Sequence, residues 1–137
     1  TGSMENTIMS KSRVIGSRLS YINSDPERGD VVIFKFPDNR DIYYVKRVIG
    51  LPGETVDIVD GKVYINDSDA PLDEPYLPEP MEGSYGPYTV PEGCYFMMGD
   101  NRNNSLDARF WKNQFVPKKD IMAKVLFCYY PRIGKVE

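Results

Sequence analysis

Asp60-Gly61 separates two short runs, residues 55–59 (Thr-Val-Asp-Ile-Val) and 62–66 (Lys-Val-Tyr-Ile-Asn), in which apolar and polar side chains alternate. A period of two sends successive side chains to opposite faces of a strand, and an Asp-Gly pair supplies the positive φ angles of a type I′ turn. The segment therefore reads as a β-hairpin, and its pattern recurs along the chain. Residues 31–36 and 42–49 are rich in Val, Ile, Tyr and Phe and flank the polar turn Pro37-Asp38-Asn39-Arg40-Asp41, which predicts a second hairpin. Residues 12–21, 94–98 and 121–130 are further strand-like runs bounded by turn residues. Residues 102–111 have room for one short helical turn, and 115–117 lead out of it.

Proline closes off the main alternative. Pro71, Pro75, Pro78, Pro80, Pro87 and Pro91 fall between residues 67 and 91, so this stretch holds neither a long helix nor a central strand, because proline lacks the N–H that both require. It reads as an irregular insert. About eight strands with almost no helix predict a mainly β fold, an antiparallel barrel or sandwich. A length of 137 residues suits a single domain, 1–137, carrying the insert at 67–91.

Histidine is absent from the whole chain. Its absence removes the Ser-His-Asp triad, the Cys-His pair and every histidine metal site, so any nucleophile needs a lysine or a carboxylate as its base. The net charge is -3 and the Lys and Arg residues are scattered, which argues against nucleic acid as a partner. Cys94 and Cys128 lie in separate strand-like runs without metal-ligand spacing and read as buried free thiols, with a disulfide as the other reading; no metal and no cofactor are expected. No apolar run reaches the roughly 18 residues of a membrane-spanning helix.

One residue breaks the strand pattern. In Tyr43-Tyr44-Val45-Lys46-Arg47-Val48-Ile49-Gly50-Leu51-Pro52-Gly53, Lys46 shares a strand face with Tyr44 and Val48. On a buried face its amine is desolvated, and its pKa falls from an ordinary value of about 10.4 toward neutrality. A neutral amine can take a proton from a serine. On this run alone, a lysine lying along a solvated face is the other reading.

Three segments gain meaning together: Gly2-Ser3-Met4, Tyr44-Val45-Lys46-Arg47, and Gly99-Asp100-Asn101-Arg102-Asn103-Asn104-Ser105-Leu106-Asp107-Ala108-Arg109, with Arg28-Gly29-Asp30-Val31 between the first two. As a set they resemble the type I signal peptidases, or leader peptidases, in their Gram-positive form. The resemblance covers nearly the whole chain except residues 67–91. It implies a serine endopeptidase with a Ser/Lys dyad that cleaves N-terminal signal peptides from exported preproteins, after small residues of Ala-X-Ala type. It further implies a single-pass membrane protein whose catalytic domain faces the extracytoplasmic side, with an anchor helix upstream that is absent from this chain.

Carried over by position, the resemblance makes Ser3 the nucleophile and Lys46 its general base. Ser105 orients the amine, and the Thr1 hydroxyl joins the Ser3 backbone N–H in the oxyanion hole. Asp107 and Arg109 brace the loop, Asp100 and Asn101 hold its turn, and Arg47 is structural. Met4, Ile8, Val31 and Ile33 are candidates to line the substrate pockets, and Phe110 and Trp111 are candidates for a rim that dips into lipid. A hydroxyl accepts from Lys46 without adding charge, whereas a touching carboxylate would raise its pKa, so Asp100 and Asp107 are expected not to contact the amine. The chain departs from the family pattern at Asn6, where proline is usual, at Lys11-Ser12 and at Ala108. Two other readings use the same strands. One is a self-cleaving repressor with a related dyad, and the other is a non-enzymatic domain that binds peptides by strand addition.

Overall fold

A computed structural model of the chain describes Met4, residues 13–130 and residues 134–136; of residues 13–15, 127–130 and 134 it describes the backbone alone. The described strands are β1 (Arg13–Ser17), β2 (Val31–Phe36), β3 (Asn39–Gly50), β4 (Thr55–Val59), β5 (Lys62–Ile65), β6 (Tyr85–Thr89), β7 (Cys94–Met98), β8 (Val116–Pro117), β9 (Ile121–Tyr130) and β10 (Gly134–Lys135). The mainly β, antiparallel fold read from the sequence is the one found. Seven strands form the larger sheet in the order β1-β9-β2-β3-β7-β8, with β10 also on β9, and β5-β4-β6 form the smaller one.

Both expected hairpins are present. In the smaller sheet Val59 pairs with Lys62 across Asp60 and Gly61, whose φ angles of 49° and 80° are the left-handed values the turn demands. In the larger sheet β2 and β3 pair from Val31 and Arg47 to Phe34 and Tyr44. Their buried residues meet those of the smaller sheet in one apolar cluster containing Val32, Phe34, Val48, Val56, Ile58, Val63 and Phe96.

Three expectations need correction. The strand expected over residues 12–21 stops at Ser17 and gives way to a 3-10 turn at Leu19–Tyr21, where Leu19 is exposed and no strand face is left to bury. The insert is not wholly irregular: Tyr85–Thr89 pairs with β4 as an edge strand, the one sheet position where Pro87 needs no N–H. Trp111 is buried rather than exposed at a rim. Its ring packs against Phe34, Phe36 and Tyr44 at 5.2 to 5.9 Å, and its indole N–H donates to the Leu106 carbonyl at 3.1 Å. The Asp38 carboxylate in the β2–β3 turn holds this stretch down by accepting from the backbone N–H groups of Lys112 and Asn113.

Gly50, where β3 leaves the larger sheet toward β4, is packed on its open side. A Cβ there would sit 2.7 Å from Val56 Cγ2 and 2.9 Å from Phe96 Cβ. Gly50→Ala is therefore expected to destabilise the fold by about 1 to 3 kcal/mol through overpacking. Denaturant unfolding checks this, and an unchanged midpoint would show that the two sheets separate freely there.

Candidate active site

The pleat of β3 decides the first feature. Lys46 stands opposite Val32 and points into the apolar cluster, while its neighbour Arg47 stands opposite Val31 and points the other way. Lys46 is only 5% exposed, and its Nζ lies 5.4 Å from the centre of the Tyr44 ring. Nζ donates to Ser105 Oγ at 3.4 Å. Burial pushes the Lys46 pKa down to about 8; the negative charge of Asp107 pulls against this and the positive charge of Arg109 adds to it. Among the described residues no carboxylate pairs with the amine, since Asp107 is committed to Arg109 and Asp100 to Arg47. The Asp107 charge reaches Lys46 through space only.

Arg47 receives the treatment Lys46 lacks. Its guanidinium grips the Asp100 carboxylate with two hydrogen bonds of 2.8 and 2.7 Å, and both side chains are almost completely buried. A third bond, 2.7 Å long, goes to the carbonyl of Gly29. Gly29 has a φ of +94°, a value that favours glycine, and its N–H donates to Val48, so the approach to β2 is stitched to β3 beside the lysine.

Ser105 is placed by the loop of residues 99–109, in which each charged side chain has a partner. Asp107 accepts from the backbone N–H groups of Gly99 and Arg109 and from the Arg109 guanidinium at 2.8 and 2.9 Å. Arg109 also donates to the Arg102 carbonyl at 2.7 Å. Arg102 donates to the Gly99 carbonyl and forms a buried fork with Glu74 at 3.2 and 2.6 Å. Tyr76 completes the set: its hydroxyl donates to Glu74, and its ring lies 3.9 Å from the Arg47 guanidinium. Burial and the Glu74 charge push the Tyr76 pKa up, so the phenol stays a neutral donor.

Of the residues expected from the sequence, the structure brings Lys46, Ser105, Asp107 and Arg109 together, with Arg47 and Asp100 directly behind them; Asn101 opens the 3-10 turn Arg102–Asn104 by accepting from the Asn104 N–H. Ser3, Thr1 and Ile8 lie outside the described residues. Met4 is fully buried against Val31 and Val125, with half-buried Ile33 beside them, and its sulfur accepts from the Asp100 N–H at 3.4 Å. Phe110 is half exposed. Ala108, a departure from the family pattern, is fully buried, with its N–H on the Met97 carbonyl. Sequence reasoning missed Glu74 and Tyr76. The available signal was Arg102 itself, since a buried arginine needs a carboxylate; which carboxylate is decided only by how residues 67–91 fold back.

The fold is that of a Ser/Lys serine peptidase. Among solved structures it is similar to a signal peptidase I from Enterococcus faecalis V583, with a TM-score of 0.62 and 34% identity, covering 74% of this chain and 97% of that one. The sequence matches the family described as signal peptidase, peptidase S26, over residues 1–130, and the chain belongs to that family. It is 40% identical to a probable signal peptidase I-2 of Synechocystis sp., covering 98% of this chain and 63% of that protein. It is 38% identical to signal peptidase I S of Bacillus subtilis, covering 94% and 73%. A chloroplast thylakoidal processing peptidase of Arabidopsis thaliana is 34% identical over 94% of this chain and 40% of its own length. The chain thus spans about two thirds of the first of these relatives. Among the described residues no helix is long and apolar enough to cross a membrane.

Two outcomes follow from the burial of these charges. Glu74→Ala strands the Arg102 guanidinium and is expected to cost about 3 to 5 kcal/mol, whereas replacing both partners by Met recovers most of that loss; unfolding of the two variants side by side measures the difference. Lys46→Met should act the other way. A lysine pKa lowered to about 8 on folding means that burying the ammonium costs about 3 kcal/mol, in full below pH 8 and fading as pH rises toward about 10.4. With about 1 kcal/mol returned for the lost Ser105 hydrogen bond, Lys46→Met should stabilise the protein by about 1 to 2 kcal/mol at pH 7 and not at all above about pH 10. A variant less stable than wild type at pH 7 would contradict the desolvation of the amine.

Proposed function

We propose that this chain is the catalytic part of a signal peptidase, a serine endopeptidase that releases N-terminal signal peptides from exported preproteins at the extracytoplasmic face of a membrane. The observation that carries the mechanism is the pairing of a buried amine with a hydroxyl rather than with a carboxylate. Near neutral pH part of the Lys46 population is neutral and able to accept a proton. Ser3 is the proposed nucleophile. Its Oγ loses a proton to Lys46 Nζ as it bonds to the scissile carbonyl carbon, and the resulting ammonium then gives that proton to the leaving amine. Water, deprotonated by the same amine, hydrolyses the acyl-enzyme and frees Ser3. The Ser3 backbone N–H and the Thr1 hydroxyl are assigned to the developing oxyanion, a type of donor worth about 3 to 4 kcal/mol in the transition state.

Ser105 holds the amine in one rotamer, while Asp100, Asn101, Asp107 and Arg109 hold Ser105 through the loop. Met4 follows Ser3 directly in sequence and is packed with Val31 and Ile33. Met4 and Val31 are buried, so of these candidates half-buried Ile33, with Ile8, is proposed to admit only small side chains one and three residues before the cut. The preprotein is the partner and no cofactor enters the chemistry. The family relation supports an anchored location.

Two measurements test this reading. Purified Ser3→Ala and Lys46→Ala variants should lose cleavage of a signal-sequence peptide by several orders of magnitude; cleavage at the wild-type rate in either would overturn the dyad. For the wild type, kcat/KM should rise about tenfold per pH unit on the acid side and level off above about pH 8, because the base works only when deprotonated. A profile flat from pH 6 to 9 would remove Lys46 from the role.

A further inference from the structure

A groove of about 440 Å3 opens beside Ser105, in the size range of about 300 to 1,000 Å3 typical of ligand sites. Its walls include Glu82, Tyr85, Asn103, Leu106 and Phe110. Tyr85 and Phe110 meet edge to face, with centroids 5.6 Å apart and planes at 86°. Behind them the Arg109 guanidinium lies 5.1 and 5.0 Å from the two ring centres. Arg109 is neutralised by Asp107, so it steadies the rings without giving the groove a positive field. Leu106, 73% exposed, adds an aliphatic surface.

The lining also carries charge. Glu82 is exposed, and among the described residues its carboxylate makes no hydrogen bond or ion pair. Its backbone is fixed, because Glu82 N–H donates to Asn103 Oδ1 at 3.1 Å while Asn103 Nδ2 donates to Glu79 and to the Pro80 carbonyl. Arg102 also lines the groove, but its charge is matched by Glu74. The groove thus has Tyr85, Leu106 and Phe110 as its apolar lining and Glu82 as its one uncompensated carboxylate, alongside polar Asn103, Asn104 and Ser105. It is continuous with the candidate active site through Ser105.

Building on the peptidase reading above, we propose that this groove is a subsite for a lysine or arginine side chain of the polypeptide substrate, at one position beside the scissile bond. The stem lies against Tyr85, Leu106 and Phe110, and the cation meets Glu82. An exposed ion pair of this kind changes affinity by about two- to fivefold, so it selects among substrates rather than admitting or excluding them.

The test uses a cleavable peptide with alanine at the positions flanking the small residues before the cut, into which Lys, Leu or Glu is placed at each position in turn. The readout is the ratio of kcat/KM for the Lys and Leu peptides within each protein, which cancels any general loss of activity. Wild type should favour Lys about two- to fivefold at one position, and less at high ionic strength. Glu82→Gln should bring that ratio to about one, and Glu82→Lys should shift the preference at the same position to Glu. Phe110→Ala should instead raise KM for the Lys and Leu peptides alike. A ratio unaffected by Glu82→Gln at every position, or a preference for Leu throughout, overturns the subsite. Failure of the wild type to cleave any peptide faster than Ser3→Ala would overturn the peptidase reading, and the subsite with it.

Discussion

Two cations adjacent in sequence are sent by the pleat of β3 to opposite faces, and the rest of the site depends on that separation. Arg47 reaches a carboxylate in a buried, bidentate pair. Lys46, one residue earlier, enters an apolar cluster where its polar neighbour is a serine hydroxyl. A one-residue slip in the register of β3 would exchange these environments, giving the arginine to the apolar core and the lysine to Asp100. The strand is fixed on both sides, by β2 from Val31 to Phe34 and by β7 at Met97 and Met98, which makes such a slip prohibitive.

Paired charges elsewhere supply the rigidity that an uncharged contact to Lys46 cannot. The hydrogen bond from Lys46 to Ser105 is long, at 3.4 Å, and would not by itself hold a loop. The loop is held instead by Asp107 with Arg109 and by Arg102 with Glu74. Tyr76 lies between the Arg102 pair and the Arg47 pair, its hydroxyl on Glu74 and its ring on Arg47. Buried ion pairs contribute little net stability compared with apolar packing, but they are strongly directional. Here they orient a loop whose one contact with the amine is neutral.

Much of this architecture was legible in the sequence because it depends on local rules. Asp60-Gly61 with its flanking alternation specified a hairpin, and the period of two around Lys46 specified its face partners Tyr44 and Val48. Proline spacing excluded helix from residues 67–91 correctly, yet it hid β6, because an edge strand tolerates proline and leaves no clean alternation. Trp111 was misplaced for a related reason. Nothing local distinguishes an exposed aromatic from one folded back over a hairpin, and the Asp38 bonds to residues 112 and 113 that pull it down span more than seventy positions. Glu74 was illegible in the same way, as one acid among several in a variable stretch. Ser3 and Thr1 rest on motif resemblance alone.

The aromatic cluster beside the amine has a practical side. Trp111 is the chain's only tryptophan, and its ring lies 5.9 Å from that of Tyr44, over which the Lys46 amine sits. Indole emission responds to nearby charge and to water entry, so the protein carries an intrinsic fluorophore within one ring of the buried amine. A change in the ionisation of Lys46, or water entering beside it, would then be visible in the emission of the unlabelled protein.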